Sequence, residues 1–273
     1  MRILRLEERP LSSIIFLNAS RAGRAETETL PIMIGYVDAM PPGPQALLIT
    51  SDLQGVVPDW AFGGRSRLLG KELADTYAKL AGEDLVPLPS STGVILAGDF
   101  YSAPDASKRG GLGDVRSVWR AFADRFRWVA GVAGNHDQFG TPREEARFSD
   151  YPGIHLLDGQ LATADEIAIG GVGGVIGPLS KPRRRDEDDF THIVEQVVRQ
   201  RPTILVLHEG PHGADRQRGN ARVTDVLKGS GVPLTICGHH HWSEPLHELG
   251  PGQQVLNVDA RAVILLSQPH QTP

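Results

Sequence analysis

Gly93-Val-Ile-Leu-Ala-Gly-Asp99 decides the fold. Its apolar run is continuous, of strand length and rich in branched side chains. Such a run suits a strand covered on both faces. It breaks off at a glycine and a carboxylate. The same pattern recurs four times. Ala46-Leu-Leu-Ile-Thr50 runs into Ser51-Asp-Leu-Gln-Gly55, and Trp128-Val-Ala-Gly-Val132 into Gly134-Asn-His-Asp137. Thr203-Ile-Leu-Val-Leu207 runs into His208-Glu-Gly210, and Pro233-Leu-Thr-Ile-Cys237 into Gly238-His-His-His241. Three more strands are expected at Glu166–Ile169, Gln254–Val258 and Ala262–Leu266.

Helical spacing lies between the strands. Arg67 to Ala81 sets Leu68, Leu69, Leu73, Tyr77 and Leu80 on one stripe. Asp114 to Arg127 is a second helix, with Asp114 read as its N-cap and Val115, Val118, Trp119, Phe122 and Phe126 on the apolar side. Asp186 to Gln200, acidic at its start and basic at its end, is a third, and Arg222 to Lys228 a short fourth. Strands alternating with helices predict an α/β fold.

The chain has 273 residues, 40% hydrophobic and 22% charged, which suits a packed globule. Its 31 glycines and 20 prolines follow no period, which excludes collagen-like and repeat architectures and predicts many tight turns. A net charge of -5 argues against coating nucleic acid by bulk charge, and a local basic groove stays open. The single Cys237 excludes an internal disulfide framework and reads as a small buried hydrophobe. The amino terminus lacks the apolar core of a signal peptide and no apolar run spans a membrane, so a cytoplasmic protein is expected.

Residues 1–45 differ from the rest. Ser13–Leu17 and Pro31–Val37 read as strands around a polar stretch, and Pro41-Pro-Gly-Pro44 as a turn or linker. The expected organisation is an N-terminal arm or hairpin, 1–45, ahead of a main domain, 46–273.

In open α/β sheets ligands gather beyond the carboxyl ends of the strands. Here five strand ends deliver Asp52, Asp99, Asn135, His208 and the His239–His241 run. Two divalent ions about 3.5–4 Å apart can hold both the attacking and the leaving oxygen of a phosphate ester. Such a pair needs a bridging carboxylate with imidazole and oxygen ligands on either side, a mixture that Mn, Fe and Zn accept. Glycines 98, 134 and 238 let the chain turn sharply before each ligand. His239 and His241 leave one face if the segment is extended, or split between two ions if it turns.

In this order, the motifs resemble those of the calcineurin-like metallophosphoesterases. That family shows Asp-x-His, Gly-Asp, Gly-Asn-His-[Asp/Glu], a lone His after a strand, and Gly-His-x-His. This chain shows Asp52-Leu-Gln54, Gly98-Asp99, Gly134-Asn-His-Asp137, His208 and Gly238-His-His-His241. The resemblance implies a two-sheet β-sandwich flanked by helices, a four-layer αββα fold. It implies a dinuclear phosphoesterase, acting on a mono- or diester by attack of a metal-bound hydroxide. It assigns Asp99 as the bridge, with Asp52, Gln54 and His241 completing metal one and Asn135, His208 and His239 completing metal two. His136, with Asn135, is assigned to the phosphate or the leaving oxygen. Two divalent ions are implied, Mn first, with Fe, Zn or Ni as alternatives.

Gln54 departs from the family, which has His there. A neutral amide oxygen is a poorer donor to softer ions, which predicts a metal one that is weaker, more exchangeable, or biased toward Mn. His212, in Glu209-Gly-Pro-His-Gly213, and Arg109, in the loop-like Phe100–Gly113, are candidate substrate contacts, each with a plain surface reading beside it. Asp137 reads as orienting His136, and His240 as pointing away. His155, His192, His247 and His270 read as turn residues, as do Asp150, Asp158 and Asp165. Lys181-Pro-Arg-Arg-Arg185 followed by Asp186-Glu-Asp-Asp189 reads as a solvated, self-paired charge segment.

A non-catalytic scaffold on the same fold is the alternative to an enzyme, and an unrelated metal or redox protein using His239–His241 a third reading. Asp99 is followed by Phe-Tyr-Ser-Ala-Pro104, not the longer signature of the protein phosphatases. A small phosphoester or a nucleotide is the expected substrate. Nucleic acid is not indicated, a membrane is not expected, and the oligomeric state is not read from the sequence.

Overall fold

The computed structural model describes residues 1–20, 23–59, 65–108 and 110–268, without the side chains of Asp59 and Arg65. Every apolar run singled out above is a strand. The first sheet runs Ile154–Leu157, Trp128–Val132, Thr92–Leu96, Ala46–Ser51, Arg261–Ser267, Ala25–Val37, Ser12–Ala19, Val56–Asp59 and Arg65–Leu68, with Ile3–Leu6 also paired to Ala25–Val37. The second runs Gln160–Ala164, Ile167–Val172, Ile204–Glu209, Leu234–Gly238, Gln253–Asn257 and Leu246–Gly250.

The layers follow from strand alternation, which sends successive side chains to opposite faces. Leu47, Ile49 and Ile95 of the first sheet meet Ile169, Val206 and Ile236 of the second in the central core. Ala46, Leu48 and Val94 face the other way, onto helices Leu69–Gly82 and Arg116–Ala123 through Leu73, Tyr77, Trp119 and Phe122. Leu205 and Leu207 pack outward on Phe190, Val194 and Val197 of helix Glu187–Val198 and on Val223 of helix Ala221–Leu227. The order is helix, sheet, sheet, helix, as expected. Among the described residues no helix is long and apolar enough to cross a membrane.

Local chemistry sets several boundaries. Asp186 caps its helix by accepting the Asp189 N–H at 2.8 Å. Asp114 does not cap the second helix: the N-cap is Val115, and Asp114 instead accepts the Arg116 N–H at 2.9 Å. That helix ends at Ala123, short of Arg127. Helix Pro142–Ser149 was not anticipated, although Thr141 and Glu144 close a capping box around a first-turn proline.

Residues 3–37 form three strands of the first sheet. Ala25–Val37 lies parallel to Arg261–Ser267, with Ile34 opposite Ile264, and antiparallel to Ser12–Ala19. The strand begins at Ala25, ahead of Pro31–Val37, and its polar, exposed first half carries no apolar signal. His155 and His247 lie in strands and His192 in a helix, not in turns. His270 lies outside the described residues.

The Lys181–Asp189 segment is only partly self-paired. Arg183 donates to the Asp137 carbonyl and pairs with Glu145, both at 2.7 Å. Arg185 reaches Asp158 at 2.7 Å, and Asp189 within its own segment at 3.6 Å.

Candidate metal centre

Three candidate ligands hold left-handed backbone conformations that side chains other than glycine disfavour: Asp52 (φ 55°), Asp99 (φ 61°) and His239 (φ 65°). Each costs about 1–3 kcal/mol, and such strain gathers at functional sites. The preceding glycines serve close approach as much as turning. A Cβ on Gly134 would lie 2.0 Å from Asp99 Oδ1, and one on Gly238 would lie 2.4 Å from Asp52 Oδ2.

Asp99 is 2% exposed and stands at the centre. Its Oδ1 accepts the His136 N–H at 2.8 Å, and its Oδ2 accepts from Gln54 Nε2 at 3.0 Å. His208 Nε2 lies 3.3 Å from Asp99 Oδ2 but is not aligned for a hydrogen bond. On the opposite side of the ring, His208 Nδ1 meets the Ala97 carbonyl at 2.7 Å. A carbonyl can only accept, so Nδ1 carries a proton, and loss of the Nε2 proton on binding a cation would leave the tautomer whose Nε2 lone pair faces Asp99.

His208 Nε2 and Asn135 Oδ1 are both buried and without a hydrogen-bond partner. Buried polar atoms left bare mark a missing ligand. Ligand atoms of Asp99, His208 and His239 also lie within 4.8 Å of one another. Carboxylate, amide oxygen and two imidazoles fit a borderline divalent cation.

Electrostatics describe the same centre without its ions. Burial opposes charge on both Asp99 and His208, but each favours the other's charged form. The Asp99 carboxyl is held below the usual carboxylate range, and the His208 imidazole is raised to about 10. Burial and the nearby His208 push His239 down to about 3. Burial and then Asp259 raise the Asp52 carboxyl well above its ordinary value.

A cavity of about 770 Å³ opens at these strand ends, and Asp52, Gln54, Asp99, His136, His239 and His241 all line it. Asp52 Oδ2 accepts from Ser51 Oγ at 2.5 Å and from the His239 N–H at 2.9 Å. The His239–His241 segment turns, so the two rings part. His239 faces His208, ring centroids 5.1 Å apart, whereas His241 reaches Asp259 at 3.3 Å and Arg261 at 3.2 Å. His136 turns its Nε2 to within 3.9 Å of Asp99 Oδ2, and its buried Nδ1 has no partner.

Other expectations fare differently. His212 is exposed and lines a separate depression with Thr224, Lys228 and His247. Arg109 lies outside the described residues. Asp137 does not hold the His136 ring: its carboxylate accepts the N–H groups of Asp99, Phe100 and Gly134 at 2.7–2.9 Å. Burial and then the Asp99 charge push that carboxyl up to about 6. His240 does not point away from the cluster. Its Nε2 lies 3.7 Å from Glu209, whose other oxygen is 3.9 Å from His239.

Sequence reasoning missed Glu209 and Asp259 as neighbours of the centre. Asp259 followed the same signal as the others, a carboxylate just beyond an apolar strand. Glu209 was readable as the residue after His208, and it is only 6% exposed.

Comparison with known proteins bears on this geometry. The structure of TT1561 of Thermus thermophilus superposes with a TM-score of 0.54 at 17% identity, covering 80% of this chain and 90% of that one. A Staphylococcus aureus chain described as a putative 5'-nucleotidase, in complex with alpha-ketoglutarate, gives 0.46 at 14% identity, over 78% of this chain and 48% of that one. No curated protein matches the chain. The calcineurin-like phosphoesterase family model matches residues 46–243, from the first of the five strands to just past the last histidine of the run. The chain belongs to the calcineurin-like phosphoesterase family.

Proposed function

We propose that the protein hydrolyses a small phosphoester with the aid of two divalent cations, Mn foremost, with Fe, Zn and Ni as alternatives. The observation that carries this reading is the bare His208 Nε2 beside Asp99 and His239. One ion would be held by Asp99, Asn135, His208 and His239, and the other by Asp52, Gln54, Asp99 and His241. Bound there, the ions would supply positive charge for the phosphoryl oxygens and lower the pKa of water to about 7.

The chain's own groups do the positioning. Ala97 fixes the His208 tautomer by taking its Nδ1 proton in a hydrogen bond. Asp137 fastens the backbone on both sides of the Asp99 turn. His136 faces the cavity, where its ring can bind a phosphoryl oxygen or give a proton to the departing alcohol. Asn135, whose Oδ1 is buried without a partner, would supply that oxygen to an ion and its amide N–H groups to a phosphate.

One observation favours the alternative of a non-catalytic scaffold. Gln54, whose amide meets Asp99 at 3.0 Å, is neutral where the family has an imidazole. A screen crossing Mn, Ni, Fe and Zn with mono- and diesters separates the readings, with metal content measured alongside. Turnover dependent on added metal and lost in Asp99→Ala is the expected result. A chain that hydrolyses none of the esters supports the scaffold reading, and one that also binds no metal overturns the metal-dependent phosphoesterase.

A further inference from the structure

The cavity has a second wall, and it lies outside the stretch that the family model covers. Asn18, Ala19, Ser20, Glu26 and Glu28 line it along with the candidate metal ligands. They come from the hairpin of strands Ser12–Ala19 and Ala25–Val37.

Strand alternation explains why these carboxylates face the cavity. Glu26, Glu28, Leu30, Ile32 and Ile34 share one face of their strand, and Ile14, Phe16 and Asn18 share it on the paired strand. Near the root of the hairpin that face is apolar, and Ile14, Phe16, Leu30 and Ile32 are buried in the core. Toward the tip the same face becomes Asn18, Glu26 and Glu28. The change from apolar to acidic falls where the core ends and the cavity begins.

The wall is held in place. Asn18 Nδ2 donates to both oxygens of Glu28, at 3.3 and 3.2 Å. No Lys or Arg occurs among the described residues lining the cavity. Two divalent ions would offset the carboxylates of Asp52, Asp99 and Asp259, which line the same cavity. Glu26 and Glu28 belong to the hairpin and to neither candidate ligand set, so the part of an ester that the ions do not hold would meet them. A cation site at this cavity is marked by His208, which is wholly buried and turns Nε2, without an aligned hydrogen-bond partner, toward the cavity-lining Asp99.

We propose that the N-terminal hairpin selects the alcohol half of the substrate: Glu26 and Glu28 favour a phosphate ester whose alcohol carries a positive charge, such as an amino or quaternary ammonium group, and disfavour anionic alcohols. The proposal rests on the phosphoesterase reading above for the position of the phosphate. An extended polyanion meets like charge at this wall, so a nucleic-acid strand is the poorest fit.

Three phosphate monoesters of similar size test it on the full-length, Mn-loaded protein: phosphocholine, glycerol 2-phosphate and 3-phosphoglycerate. Their kcat/KM values should fall in that order, with about tenfold between the first and the last, and the gap should shrink as salt is added. In the double variant Glu26→Gln, Glu28→Gln the gap should narrow by at least half. In Glu26→Lys, Glu28→Lys the order should invert. An inversion is a gain of preference that a misfolded protein cannot show.

Calorimetric binding of the same three esters gives the order independently of turnover. If none is hydrolysed, the phosphoesterase reading fails while the binding order still decides this proposal. Equal affinity for all three, tighter 3-phosphoglycerate, or an order untouched by charge reversal overturns it.

Discussion

Asp137 Oδ2 accepts the backbone N–H of Asp99 at 2.8 Å, from a carboxylate with no exposure to solvent. The same carboxylate takes the N–H groups of Phe100 at 2.7 Å and Gly134 at 2.9 Å. Two strand ends that carry candidate ligands are thereby tied to one side chain. Asp99 sits in a left-handed conformation that does not persist without such support.

Replacing that carboxylate by an amide should loosen both turns. Asp137→Asn keeps the volume but sets an NH2 group against one of the three N–H donors. A buried donor left unmet costs about 1–3 kcal/mol. We expect a loss of about 2 kcal/mol in urea unfolding, with bound metal falling more steeply than stability. Unchanged metal content would show that the turns hold themselves.

How far the sequence spoke can be judged from particular residues. The runs before Asp52, Asp99, Asn135, His208 and His239 were readable because both faces of their strands are buried, which leaves unbroken apolar stretches. Helix Pro142–Ser149 was not readable by that signal, because it buries only Phe148. The first half of Ala25–Val37 was missed for the same reason: its residues are exposed, so nothing apolar marks the strand. The split between His239 and His241 turned on one backbone angle at His239, which two-residue spacing cannot give. The acidic wall depends on pairing between residues 12–19 and 25–37, which carries Glu26 and Glu28 to a cavity built from residues distant in sequence.

The bare Nε2 of His208 predicts metal-linked stability. A ligand that binds the folded chain alone stabilises it by about 2.7 kcal/mol at a hundred times its dissociation constant. Added Mn should therefore raise the melting temperature, and a chelator should lower it. In His208→Ala that response should shrink strongly if the buried His208, held by Ala97, is a ligand as proposed. A metal response in His208→Ala equal to the parent's would remove His208 from the centre.

If Gln54 is a ligand of metal one as proposed, it sets that ion's preference. Its neutral amide donates to Asp99 at 3.0 Å, where an imidazole would offer a lone pair. Gln54→His should tighten Zn at one of the two sites by at least about tenfold while changing Mn less, since imidazole suits Zn better than an amide does. Competition titrations against a chromophoric chelator measure both. Equal gains for the two metals would contradict the assignment of Gln54 as a ligand.

The last prediction concerns acid stability away from the centre. Asp165 joins the second sheet to the first by accepting from Arg127 at 2.7 and 2.8 Å and from Trp128 Nε1 at 2.7 Å. The Arg127 hydrogen bonds outweigh burial and hold the Asp165 carboxyl below the usual range. A carboxyl with a depressed folded value stabilises the protein at pH above its unfolded value, about 3.9, and loses that contribution as pH falls through the folded one. Arg127 is partly exposed, so solvent limits the effect to about 1 kcal/mol. Asp165→Asn should unfold at lower urea than the parent at pH 7, and the two midpoints should converge as pH drops below about 4. A difference that persists undiminished well below that pH would show that the amide damages packing beside Gly43, where a Cβ would stand only 2.5 Å from the Asp165 side chain, and that the charge contributes little.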